Sequence, residues 1–223
     1  MELHTGHHTI AYFMGMAFNM DTLYMTWLTA AIVIIITVAA TRGRAMVPSG
    51  IQNAVELVME NLIDQFKETL GPKWHQVVSI LLTMFLFIFV GNELGLLPSP
   101  DVLTSPTNDL NTTLGLALAS SFTVHVVGIA NKGVLKHIKH MFQPFAVFFI
   151  LNILEEVSKP LTLAFRLFGN ILAGEILMEI LYQLVPWLAP MVWLAFSLAI
   201  GLIQAFIFTI LTTSYLTSSL NEG

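Results

Sequence analysis

Between residues 143 and 185 a nearly continuous apolar run is interrupted by Glu155, Glu156, Lys159, Pro160, Arg166, Glu175 and Glu179. Charges in such a setting are where chemistry is first sought. A guanidinium keeps its charge at any physiological pH, and holding one at membrane depth costs about 2.5–3.5 kcal/mol even on the mildest insertion scale. A carboxylate partner is the natural offset for Arg166. On a helix turning about 100° per residue, Glu155, Ser158, Lys159, Thr162 and Asn170 all fall within about 80° of Arg166. Glu175 and Glu179 fall about 180° and about 140° away. One helix therefore carries two polar tracks, and direction excludes a bridge from Arg166 to Glu175 within it. Two tracks are what two water-filled access paths require. The structural alternatives are a salt bridge from Arg166 to a carboxylate of its own chain and a plain interfacial position for Glu155 and Glu156. Interfacial solvation fits Glu175 less well, because long apolar stretches flank it.

The following apolar run repeats the theme. Ser197, Gln204 and Tyr215 are seven and eleven residues apart and share one helix face to within about 20°. Gly201 lies between them and admits close approach of another backbone. Interhelical hydrogen bonding explains such a glutamine equally well on spacing alone. Glu93 and Asp109 mark the outer ends of two apolar runs, where solvation is the cheaper explanation and a role in ion access the sharper one. His4, His7 and His8 sit in a polar N-terminal stretch, and His137 and His140 flank a basic one; no His-Glu-x-x-His pattern occurs, so metal binding is not expected. His125 stands inside an apolar run, where a satisfied interhelical hydrogen bond is the simpler reading and a proton relay the alternative.

Composition names the solvent. The chain is 56% hydrophobic and 10% charged, against roughly 25% charged in soluble domains. So few charges cannot cover a globule with a hydrated surface, and an all-α integral membrane protein is expected. The absence of cysteine excludes disulfides and thiolate metal sites, and a net charge of −5 offers no footprint for nucleic acid. Residues 1–21 lack the cationic start of a secretory leader and read as an external tail, with Arg42 and Arg44 rather than a cleavage site after the first apolar run. Spanning helices need about 20 mostly apolar residues, which predicts spans over 22–40, 77–97 and 110–130. Arg42, Arg44, Lys73, Lys132, Lys136 and Lys139 then fall on one side, which the positive-inside rule makes cytoplasmic, leaving the N-terminus outside. Residues 48–70 read as an amphipathic helix: Ile51, Val55, Val58, Leu62 and Phe66 recur at three- and four-residue steps opposite Glu56, Glu60, Asp64, Lys67 and Glu68. It would lie on the cytoplasmic membrane surface or on a partner protein. The segments 143–185 and 187–216, separated near Pro186 and Pro190, form a helical hairpin. Its first arm is about twice as long as the hydrocarbon is thick, so it must be broken near Pro160 or steeply tilted.

The stretches SKPLTLAFRLFGNILAGEILM (Ser158 to Met178) and IGLIQAFIFTILTTSYL (Ile200 to Leu216) resemble the two signature helices of subunit a of F-type ATP synthases. SPTNDLNTTLGLALA (Ser105 to Ala119), the GNELGLLP turn (Gly91 to Pro98) and the surface helix extend the resemblance over nearly the whole chain. The resemblance implies a non-catalytic stator subunit in a bacterial plasma membrane, multi-pass, with its C-terminus cytoplasmic. Its partners would be the rotating c-ring, the b-subunit peripheral stalk, other synthase subunits and the lipid bilayer, and it would carry no cofactor. Arg166 matches the family's essential arginine, which faces the ring carboxylate. Asn170, Glu175 and Gln204 match positions lining or bordering the outer half-channel, and Glu155, Ser158 and Thr162 fall where the cytoplasmic half-channel is expected. Some members carry a histidine on the last helix that partners the glutamate at the Glu175 position; here Ser197 stands there, and Glu179 is an added carboxylate. Which group relays ions in the outer path is therefore open, and so is the choice between H⁺ and Na⁺. A secondary transporter is the competing class, but the charged hairpin is confined to the C-terminal half, without the paired broken helices such transporters often show. An intramembrane hydrolase would need a nucleophile and base or a metal motif at membrane depth, and none is visible.

Overall fold

The computed structural model describes residues 10–13, 16–42, 50–96, 104–134, 148–185 and 188–221. Six long helices dominate it: α1 (Met20–Arg42), α2 (Ile51–Leu70), α3 (Val78–Gly95), α4 (Leu110–Lys132), α5 (Phe148–Leu184) and α6 (Leu188–Asn221). All but α2 are long and apolar enough to cross a membrane, as an integral membrane protein requires. Arg44, Lys136, Lys139, the turn at Pro186 and five of the histidines (His4, His7, His8, His137 and His140) lie outside the described residues.

One departure from an all-α chain is small. Ile10–Phe13 and Met16–Asn19 form strands β1 and β2, paired antiparallel from Ile10 opposite Asn19 to Phe13 opposite Met16. Two four-residue strands are too short for periodicity to announce them. Asn19 ties the hairpin to the bundle by donating to Asp109 Oδ2 at 2.6 Å.

The first hairpin arm is not broken. α5 runs 37 residues through Pro160, about 55 Å at 1.5 Å per residue. Proline removes one backbone donor and crowds the preceding turn, yet Pro160 is buried and the helix continues past it. In α6, Pro190 stands in the first turn, where a missing N–H leaves no intrahelical bond unmade.

α2 covers its apolar stripe with its own chain. Leu62, Phe66 and Leu70 are buried in one cluster with Val77 and Leu81 around the start of α3 and with Leu216 and Leu220 of α6. Thr217 of α6 donates to the carbonyl of Thr69 at 3.3 Å, which fixes the contact. Towards its N-terminus Leu57 and Val58 stay exposed, so only the C-terminal half of the stripe is spent on this contact. The remaining core joins α3, α4, α5 and α6 through Phe85, Ile88, Val124, Leu163, Leu167 and Phe208. Within it Thr209, Thr212 and Thr213 satisfy their hydroxyls on carbonyls four residues back, and Ser120 of α4 meets Thr212 at 2.9 Å.

Candidate functional site

Polar groups gather at two levels of the bundle, with Arg166 between them. The first lies where α3 ends and α4 begins. Residues 104–109 pass close over α3 in a short 3₁₀ turn (Pro106–Asn108), and glycine makes the passage possible: a Cβ on Gly95 would lie 2.5 Å from Ser105 Cβ. Ser105 donates to the carbonyl of Gly91 at 3.0 Å, and Thr107 donates to Asn92 Oδ1 at 2.7 Å. Asn92 in turn donates to the carbonyl of Gly201 in α6 at 3.3 Å. This ladder holds Asn108 so that its Nδ2 donates to Glu175 Oε2 of α5 at 2.5 Å. Asp109 caps α4: Oδ1 accepts from the Asn111 backbone at 2.8 Å and from Asn111 Nδ2 at 2.9 Å. It is 6% exposed, which replaces the solvated interfacial position expected of it with a buried anchoring one.

The second level lies where α4 ends and α5 begins. Lys159 Nζ is 3.0 Å from both Glu155 Oε1 and Glu156 Oε1. Glu156 also stands 3.4 Å from His125 Nε2 of α4, and Lys159 lies 5.5 Å from the ring centroid of Tyr215 in α6. The lysine is mostly sheltered, whereas the side chain of Glu155 is 65% exposed. One sheltered cation thus gathers two carboxylates two to three turns into α5, and Glu155 is committed to Lys159 rather than to Arg166.

Arg166 occupies α5 about 10 Å past Lys159 and about 14 Å before Glu175 along the helix axis, at 1.5 Å per residue. It is exposed, with exposed Thr162, Phe165 and Gly169 around it, and space is open where a Gly169 Cβ would stand. Among the described residues no carboxylate of its own chain lies within salt-bridge distance of it. Leu198, Leu202, Ile203 and Phe206 leave α6 exposed as well.

The other sequence-predicted residues distribute between these levels. Ser158 is exposed, and Asn170 and Glu179 are half-buried. Ser197 and Gln204 are 8% and 5% exposed and share the buried face of α6. Gln204 Nε2 is shielded and has no acceptor among the described residues. The structure brings Glu175 to Asn108, a partner the sequence reading did not identify; the run of Ser, Thr, Asn and Asp over 104–113 signals a helix start but not a contact 67 residues away. Asn92 was missed for the same reason. Among the described residues no cluster of three or more His, Asp or Glu could hold a metal ion.

The comparisons with known proteins agree with this architecture. The family described as "ATP synthase A chain" matches residues 23–217. An ATP synthase subunit a of Desulforamulus reducens is 38% identical over 225 residues, covering 96% of this chain and 85% of its own. One of Acidothermus cellulolyticus is 36% identical over 222 residues, covering 96% and 82%. With likeness of that extent across almost its whole length, the chain belongs to the family of subunit a of the F-type ATP synthases, an ion-translocating component of their membrane sector.

Proposed function

We propose that this chain is the stator against which a ring of rotor subunits turns, with Arg166 as the fixed charge that couples ion flow to rotation. The observation that carries the reading is Arg166 itself: exposed on α5, unpaired among the described residues of its own chain, and midway between two polar levels. A guanidinium at membrane depth requires a counter-charge, and the open, partly apolar face around it suits one supplied by another polypeptide. The ring's ion-binding carboxylate is the partner that family membership suggests.

Each ring carboxylate arrives loaded and gives up its ion near Arg166, because the adjacent fixed positive charge favours the ionised form. The anion pairs with the guanidinium in passing and reloads from the other path. Arg166 cannot release a proton, so it also bars ions from crossing directly between the two paths. A membrane potential supplies roughly 2.3 kcal/mol per charge per 100 mV, and rotation is the route by which that energy is taken up.

In this reading the level built on Asn108, Glu175, Gln204 and Ser197, bordered by Asn170 and Glu179, belongs to the outer half-channel, with Asp109 anchoring the 3₁₀ turn that presents Asn108. The level at Glu155, Ser158, Lys159 and Thr162 belongs to the cytoplasmic half-channel. Three spans, the surface helix α2 and a tilted α5–α6 hairpin facing the ring would make up the fold, and a peripheral stalk would hold it against torque. No covalent chemistry is assigned to this chain. The test is Arg166→Ala in the assembled complex, reconstituted in liposomes: ion-driven ATP synthesis should be abolished with subunit composition unchanged. Normal coupled synthesis in that variant would overturn the reading.

A further inference from the structure

Glu93, in the last turn of α3, has no part in the ladder that its neighbour Asn92 makes. Its Oε1 is shielded from solvent and meets no hydrogen-bond donor among the described residues. A Cβ added to Gly201 would lie 2.8 Å from that oxygen, so the carboxyl group backs onto α6 at a position with no side chain in its way. Ser197 and Gln204 stand four residues before and three residues after Gly201, which makes them its neighbours on the same helix face. Gln204 is 5% exposed, and its Nε2 is a second shielded polar atom without a partner there. An orphan carboxyl oxygen and an orphan amide donor on one buried face are costly unless something polar lies between them. Asn92 already supplies the structural fastening at this contact, through Thr107 and the Gly201 carbonyl, so Glu93 is not needed for it.

We propose that Glu93 is a further ion-translocating carboxylate of the outer path, which takes the translocated monovalent cation from external water and passes it along the Ser197–Gly201–Gln204 face of α6. The inference rests on the stator reading above and adds to it a residue outside the matching signature helices. Glycine at 201 sets the distance, and the amide of Gln204 orients the carboxyl group or the water that bridges to it. No bond other than that to the exchanged ion forms or breaks, and the carboxylate returns to its starting state after each transfer.

The experiment uses the whole complex in liposomes and reads ATP-driven ion pumping per assembled complex, with a pH-sensitive dye in sodium-free buffer and with a sodium probe in parallel. Glu93→Gln keeps the shape but can neither bind a proton nor carry a negative charge, and pumping should fall about tenfold or more, within what a positioned proton-transfer group contributes. Glu93→Asp should retain most of it. Wild-type pumping per complex in Glu93→Gln beside its loss in Arg166→Ala overturns the role of Glu93 and leaves the stator reading standing; undiminished pumping in both variants overturns the two together. Because the chain has no cysteine, Glu93→Cys places there a thiol unique within this subunit, read on the subunit after it is separated from the labelled complex. A membrane-impermeant thiol reagent applied from the outer side should modify it. A thiol that stays unmodified in assembled complex overturns the proposal even where the glutamine variant assembles poorly.

Discussion

A charged side chain at membrane depth is informative through what it does not touch. Lys159 is neutralised within its own helix by Glu155 and Glu156, each at 3.0 Å, and such a cation needs nothing from outside. Arg166, seven residues on, has no such neighbour among the described residues. Replacing it by lysine preserves the charge but removes the planar fork that can follow a moving carboxylate, so Arg166→Lys should lose most ion-driven ATP synthesis; full activity in that variant would show that charge alone suffices. Glu175 poses the complementary case. Asn108, which donates to it, is a neutral group and holds the carboxylate by a hydrogen bond rather than by an opposite charge. A hydrogen bond to a charged group is worth about 1.5–3 kcal/mol, so Asn108→Leu should reduce ATP-driven pumping roughly tenfold or more. Unchanged pumping per assembled complex would remove Asn108 from the outer path.

At the scale of elements, α3 positions these groups only because Gly95 cuts it away to let the backbone at Ser105 pass. Gly95→Ala would bring a Cβ to 2.5 Å from Ser105 Cβ and 2.8 Å from its backbone nitrogen. Neither α3 nor the 3₁₀ turn can yield freely, so the variant should lose about 1–3 kcal/mol. Gly115→Ala in α4 meets nothing within 4 Å and should be neutral or stabilising by up to about 1 kcal/mol. Thermal unfolding of the two variants in the same detergent compares them directly, and equal midpoints would show that the turn gives way without cost. The long helices were legible in the sequence because hydropathy over some twenty residues leaves little choice. The course of α5 past Pro160 was not: the sequence admits a break or a tilt, and only packing against neighbouring helices decides whether a proline-containing helix continues. Likewise the periodicity of α2 revealed an apolar stripe but not its cover, which is in part α6 of the same chain. Of the candidate site, Arg166, Glu175 and Gln204 stood out as polar residues in apolar runs. Asn92 and Asn108 did not, since their importance arises from contacts to residues 109 and 67 positions away.

For the whole molecule, the two polar levels acquire meaning only from which face of the membrane each one meets. Five helices of membrane-crossing length place the two chain ends on opposite sides if each crosses once. The basic residues then decide the sense. Arg42 ends α1, Lys73 lies in the 3₁₀ turn before α3, and Lys132 ends α4; all three are carried to the side on which α2 lies, which the positive-inside rule makes cytoplasmic. On that assignment the β-hairpin and the Asn108–Glu175 contact would face the outside and the Lys159 cluster the cytoplasm. The absence of native cysteine makes this readable one position at a time. Tyr12, 78% exposed on β1, and Asp64, with a side chain 72% exposed on α2, are suited to substitution because neither belongs to a polar level. Tyr12→Cys should react with a membrane-impermeant thiol reagent in right-side-out vesicles and Asp64→Cys in inverted ones. Labelling of both thiols from one side would mean that the chain crosses an even number of times between them. α1 would then not cross, and the assignment of the β-hairpin and the Asn108–Glu175 level to the outside would fall with it.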